Sequence, residues 1–156
     1  MRTVMVSEIT SEAFAPYGDV LAAPVTNPRQ DHAGQIQNTR PAARANLALV
    51  RSDPFDGLTP LCRLEQHRSS NQAFLPLSVE AYLVVVAPDR DGSPVEDRIQ
   101  AFRVPGHMGI NYRAGAWHAH MMALREPGVF AMLVHEDGTE ADCTFAPIAP
   151  VTIALR

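Results

Sequence analysis

Apolar and polar positions alternate along most of this chain in short runs cut off by turn residues, the pattern of β-strands rather than helices. Residues 44–51, R-A-N-L-A-L-V-R, form one such run, with arginine at each end. Residues 61–68 form another, with Leu61, Arg63, Glu65 and His67 on one face and Cys62, Leu64 and Gln66 on the other. Residues 82–87 are nearly all apolar and rich in valine, which predicts a strand buried on both sides. Runs at 3–6, 19–22, 98–104, 130–135, 143–145 and 151–155 continue the series. A short helix is expected at 11–15, capped by Thr10 or Ser11 and closed by Pro16 and Gly18. Residues 24–34, broken by Pro24 and Pro28, read as a loop. With 13 prolines and 9 glycines concentrated at the joints, the pattern predicts an all-β sandwich or barrel in one domain, 1–156.

Within that frame the stretch 109–120, G-I-N-Y-R-A-G-A-W-H-A-H, gathers unusual chemistry. Gly109 and Gly115 suit turns that need positive φ. Read as a strand from 116, the chain places His118, His120 and Met122 on one face and Trp117, Ala119 and Met121 on the other. Two imidazoles on one face can meet a single metal ion or substrate; a core histidine beside an exposed one fits the same pattern. A second cluster, 64–74, reads L-E-Q-H-R-S-S-N-Q-A-F. There Glu65 and His67 share a strand face and Gln72 follows five residues later. A carboxylate, an imidazole and an amide oxygen, joined by His118, suit a divalent first-row metal with coordination positions left open for Lewis-acid chemistry. An ion pair at a barrel mouth is the alternative for Glu65 and His67. Arg63, on the same face by parity, is a candidate to hold a substrate carboxylate.

Composition narrows the function classes. The formal net charge is −4 and all 13 basic residues are arginine. An acidic balance argues against nucleic acid or an anionic membrane as partner. The absence of lysine excludes Schiff-base catalysis through a lysine amine and a P-loop. Two distant cysteines, Cys62 and Cys143, suggest reduced thiols rather than a disulfide framework. The first ten residues have no apolar core of a signal peptide, and the longest apolar run is far too short to span a bilayer. A cytoplasmic protein acting on a small molecule is expected.

The pattern E-x-H-x4-Q resembles the first cupin motif, with Glu65 where its first histidine stands and Gln72 where its glutamate stands. His118, in G-A-W-H, resembles the histidine of the second cupin motif. More narrowly, L-E-Q-H and Q-A-F-L-P-L, then V-V-V-A, G-I-N-Y and W-H, resemble the ureidoglycolate lyase family. So do E-A-F-A-P-Y-G-D-V at 12–20 and L-A-L-V at 47–50. The resemblance implies a cupin-like double-stranded β-helix, usually a homodimer, that cleaves ureidoglycolate to glyoxylate and urea with a divalent metal, nickel being the one usually named. It carries Glu65, His67, Gln72 and His118 over as the core of the site, and Asn38 and Tyr112 as substrate-side residues. Two departures stand out. Ala43, Arg44, Ala45 and Asn46 replace a common R-(Y/F)-H-D, and Ala119 replaces a second adjacent histidine. On parity, His120 then becomes the candidate proton-handling group. Two other classes remain in view: another metal-dependent cupin enzyme, such as a dioxygenase or isomerase, and a cupin that binds a small molecule without turnover.

Overall fold

The structure, a computed structural model, describes residues 1–155. In chain order it contains β1 (Arg2–Glu8), α1 (Ser11–Phe14), β2 (Gly18–Leu21), β3 (Arg44–Ser52), β4 (Leu61–Gln66), β5 (Gln72–Ser78) and β6 (Ala81–Ala87). A two-stranded ribbon, β7 (Asp89–Arg90) and β8 (Ser93–Pro94), follows. The remaining strands are β9 (Gln100–Pro105), β10 (Gly109–Tyr112), β11 (Trp117–His118), β12 (Met122–Ala123), β13 (Gly128–Glu136) and β14 (Thr144–Ala154). The helix is the expected one: the Thr10 hydroxyl accepts from the Ala13 N–H at 3.1 Å.

The strands form two layers. One is a seven-stranded sheet ordered β11-β4-β14-β1-β9-β6-β12, which pairing of β11 with β6 closes into a barrel. The other is an antiparallel sheet ordered β2-β10-β5-β13-β3. A closed barrel with an antiparallel sheet laid against it is the all-β, cupin-type architecture expected. The strand β6 shows why two cores are needed. Its Leu83 and Val85 point into the barrel beside Trp117, whereas Tyr82, Val84 and Val86 pack between the layers with Phe14, Tyr112 and Phe130. The strand is buried on both faces, as its composition predicts.

Several local expectations are corrected. The strand at 61 ends at Gln66, so His67 lies just beyond it. A strand at 72–78, hidden behind the polar run S-S-N, supplies the centre of the second sheet. The runs at 143–145 and 151–155 belong to one strand, β14, whose pairing with β4 is irregular between Pro147 and Val151. Gly115 has the positive φ expected, +86°, but Gly109 does not. Gly109 instead opens β10, where a Cβ would fall 2.6 Å from the Phe74 carbonyl oxygen, so close packing explains the glycine.

The parity beyond His118 is also corrected. His118 pairs with Val86 on β6, but Met122 pairs with Leu83, an offset of one residue. The extra residue is a bulge that flips the alternation. Met122 therefore packs in the barrel with Trp117 and Ala119, while Met121 packs between the layers.

Candidate functional site

The site forms where the barrel wall faces the second sheet. His118 on β11 pairs directly with Glu65 on β4, which sets their side chains side by side. Gln72 opens β5 on the opposite layer, and His67 sits in the turn between these two strands. Ligand atoms of Glu65, His67 and His118 all lie within 4.8 Å of one another. His118 Nε2 is 2.9 Å from Gln72 Oε1 and 3.5 Å from Glu65 Oε1. The His67 ring stacks on that of His118 at 5.7 Å, and the Tyr112 ring covers its other neighbourhood at 4.1 Å.

Hydrogen bonding around the cluster leaves lone pairs aimed inward. His67 Nδ1 lies 2.9 Å from the Asp142 carbonyl oxygen, and His118 Nδ1 lies 3.1 Å from that of Ala116. The Asp142 carbonyl holds His67 as the Nδ1–H tautomer with a bare Nε2, whereas both ring nitrogens of His118 face oxygens. The Gln72 amide nitrogen donates to Met132 Sδ at 3.3 Å, turning its oxygen toward His118. Burial pushes the His118 pKa down to about 3, with the nearby His67 adding to the shift. A neutral imidazole carries one N–H and cannot donate to both the Ala116 and Gln72 oxygens. A cation shared by Nε2, the Gln72 oxygen and the Glu65 carboxylate resolves that conflict, so the donor set fits a metal ion. Burial also pushes the Glu65 pKa up, against the opposing charge of Arg63, and the His67 pKa down. Both shifts mark groups withdrawn from water without a full counter-charge.

The sequence candidates divide. Glu65, His67, Gln72, His118 and Tyr112 come together. Asn38 is exposed and uses its amide on its own loop, donating to Ala43 O at 3.2 Å and accepting from Arg40 N at 3.1 Å. Arg63 is exposed and stacks its guanidinium over Phe145, 5.0 Å from the ring centroid. His120, placed within the bulge, lines a separate cavity of about 420 Å³ with Arg51, Phe55 and Met121.

Comparison with known proteins gives the family. The family model for ureidoglycolate lyase matches residues 1–154. The chain belongs to the ureidoglycolate lyase family. It is thereby an enzyme, and it is similar to proteins named ureidoglycolate lyase along nearly its whole length. Those from Pseudomonas fluorescens (strain SBW25) and Pseudomonas putida (strain W619) are 34% and 32% identical over 152 residues, 92% of this chain and 90% of each relative. One from Stutzerimonas stutzeri (strain A1501) is 30% identical, covering 92% of this chain and 88% of the relative.

Some residues of this family member's site escaped the sequence reading. Asn71, fully buried, accepts from Gln37 N at 2.9 Å and donates to Asn111 Oδ1 at 2.8 Å, tying the loop before β3 to the sheet. Met132 orients Gln72, and the Asp142 carbonyl orients His67. An asparagine between two serines and a glutamine carries no signal of burial. A main-chain carbonyl carries no signal at all.

Proposed function

We propose that this enzyme cleaves ureidoglycolate to glyoxylate and urea, with a divalent ion, nickel for preference, held by Glu65, His67, Gln72 and His118. The observation that carries the reading is the convergence of four side chains, three of which (His67, Gln72 and His118) have their other hydrogen-bonding group engaged elsewhere, in a chain of this family. A bound divalent ion supplies Lewis-acid polarisation that acidifies a substrate hydroxyl. The protein's own groups do the rest. The Glu65 carboxylate takes the hydroxyl proton, the new C=O of glyoxylate forms, the C–N bond breaks, and the same proton passes to the departing urea nitrogen. Tyr112, stacked on His118 and buried, excludes water from the inner wall on the substrate side. Arg63 and Asn38 serve the approach of the substrate carboxylate and ureido group.

Elimination and hydrolysis are separated by their products. Hydrolysis of the ureido group needs an activated water and is commonly built on two metals bridged by a carbamylated lysine; this chain has no lysine. Incubation with ureidoglycolate is expected to release urea and glyoxylate in equal amounts, with no ammonia until urease is added. Ammonia released directly overturns the lyase reading. Tight binding without product identifies a binding protein, and oxygen uptake with ferrous iron identifies a dioxygenase. A chelator is expected to abolish the activity and the added ion to restore it.

His120 is proposed to assist proton movement from its neighbouring cavity. Partial desolvation, and beyond it the charge of Arg63, holds its pKa below the ordinary value, so it is a neutral base at physiological pH. Changing His120 to alanine is expected to lower kcat about tenfold without moving the melting temperature. Unaltered turnover removes it from the mechanism.

Among the described residues no helix is long and apolar enough to cross a membrane. Separately, we propose a cytoplasmic, single-domain homodimer. The outer face of the second sheet supports the dimer. Leu47 and Leu49 on β3 and Leu75 and Leu77 on β5 are 71%, 75%, 48% and 59% exposed. Leu49, Ala131 and Leu75 lie in one row across β3, β13 and β5, and Leu47, Leu133 and Ala73 in the next, an apolar surface of the kind a partner covers. The double variant Leu49→Arg/Leu75→Arg is expected to sediment as a monomer. A dimer that survives both changes uses another face.

A further inference from the structure

We propose that Arg40 is a positioning residue for His67, acting through the turn that ends at Asp142. The inference rests on the reading of His67 as a metal ligand. His67 follows the last residue of β4, so strand pairing does not orient its ring. Its main chain is held by Gly115, whose N–H donates to the His67 carbonyl at 2.8 Å. The ring itself is held by the Asp142 carbonyl oxygen, 2.9 Å from Nδ1. That carbonyl closes a short 3₁₀ turn, Glu140–Asp142, in a loop rich in small and acidic residues.

The turn is fastened by its own carboxylate. Asp142 accepts from the N–H groups of Asp137, at 2.9 Å, and Gly138, at 2.7 Å. Arg40 Nη2 donates to the same carboxylate, and Arg40 Nη1 lies 3.2 Å from that of Asp137. The side chains of Arg40 and Asp142 are 19% and 14% exposed, so this pair is largely withdrawn from water. Burial alone would raise the Asp142 pKa, but Arg40 and the two N–H groups outweigh it and hold the carboxyl at about 2. Arg40 in turn sits on a segment tied to the residues just after His67: Thr39 N–H donates to Ser69 O at 2.9 Å.

Removing the guanidinium leaves two carboxylates in one turn with no cation between them. The turn then has reason to open, and the carbonyl that selects the His67 tautomer moves with it. Groups that orient a metal ligand in this way are worth about 10–100-fold in metal affinity.

The test compares wild type with Arg40→Gln and Arg40→Lys. Long-range ¹H–¹⁵N spectra of the metal-free proteins read the tautomer of each histidine, and calorimetric titration with Ni²⁺ reads affinity. Wild type is expected to hold His67 as the Nδ1–H form. Arg40→Gln is expected to mix in the Nε2–H form at His67 while leaving His118 unchanged, and to bind Ni²⁺ about 10–100-fold more weakly. Arg40→Lys should recover part of both. If Arg40→Gln does not fold, Asp142→Asn, which keeps the backbone carbonyl and one side-chain acceptor, is read in its place. An unchanged His67 tautomer overturns the proposal, as does equal disturbance of His67 and His118, which marks general loosening. Failure of wild type to bind Ni²⁺ counts against the metal reading alone, because the tautomer is measured without metal.

Discussion

Replacing His118 with alanine is expected to abolish tight metal binding and to lower turnover about a thousandfold or more, the scale seen when one member of a cooperative catalytic set is removed. The residue contacts Glu65, Gln72 and His67 at once, so its loss dissolves the cluster rather than trimming it. Kinetics with and without added Ni²⁺, beside metal analysis of the purified variant, check the expectation. Turnover within tenfold of wild type would place the chemistry elsewhere. The same imidazole also ties stability to pH. Its pKa falls from an ordinary 6.5 in the unfolded chain to about 3 in the fold, chiefly through burial. The unfolded state therefore binds a proton that the folded state refuses over that window. Stability contributed by the neutral ring is intact above pH about 6.5 and is lost as pH falls toward 3, at up to about 1.4 kcal/mol per unit. In metal-free protein, His118→Gln should flatten that part of the stability curve.

How far the residues announced this site depends on which physical signal each carries. From Arg63 to Gln66 the alternation on β4 holds and sets the Glu65 carboxylate opposite Leu64 and the barrel core. Leu61, expected on the Glu65 face, joins Leu64 in that core because β4 pairs irregularly with β14. The valines of β6 announce double burial because no solvated strand would carry them. The face of His120 is not legible, because alternation assumes an unbroken ladder. One inserted residue between the His118–Val86 and Met122–Leu83 pairs reverses the faces, and no residue type marks a bulge made of A-H-M. Gln72 was legible as a donor through its resemblance to a motif, but its strand was not, since S-S-N before it reads as a loop and Pro76 within it discourages a strand. Pro76 is tolerated where β5 pairs irregularly with β13. The tautomers of His67 and His118 depend on main-chain carbonyls of residues 142 and 116, which are long-range products of the fold. The composition excluded lysine chemistry outright, and that exclusion still shapes the mechanism.

Trp117 gives the largest expected effect on stability. It precedes His118 on a strand of two residues and points the other way, into the barrel, where it is 1% exposed and packs among Leu64, Val85 and Leu124. Its indole Nε1–H donates to Asp89 Oδ1 at 2.8 Å, and that carboxylate also accepts from Gln66 Nε2 at 3.3 Å. The ring thus joins the barrel core to the ribbon after β6. Trp117→Ala is expected to cost about 3–5 kcal/mol through lost burial and the cavity left behind. Domains of this kind have net stabilities of only about 5–15 kcal/mol, so the variant should be soluble but marginal. Trp117→Phe keeps much of the packing and loses the hydrogen bond to a charged acceptor, for which about 1.5–3 kcal/mol is expected. Urea unfolding of the three metal-free proteins separates these contributions, and a Trp117→Ala loss below about 1 kcal/mol would show that the barrel does not depend on the ring. Because β11 is pinned on one side by Trp117 and carries His118 on the other, Trp117→Phe should retain the metal site while Trp117→Ala weakens Ni²⁺ binding along with the fold. Loss of Ni²⁺ binding in Trp117→Phe at full stability would instead mean that the indole positions His118 more tightly than packing alone requires.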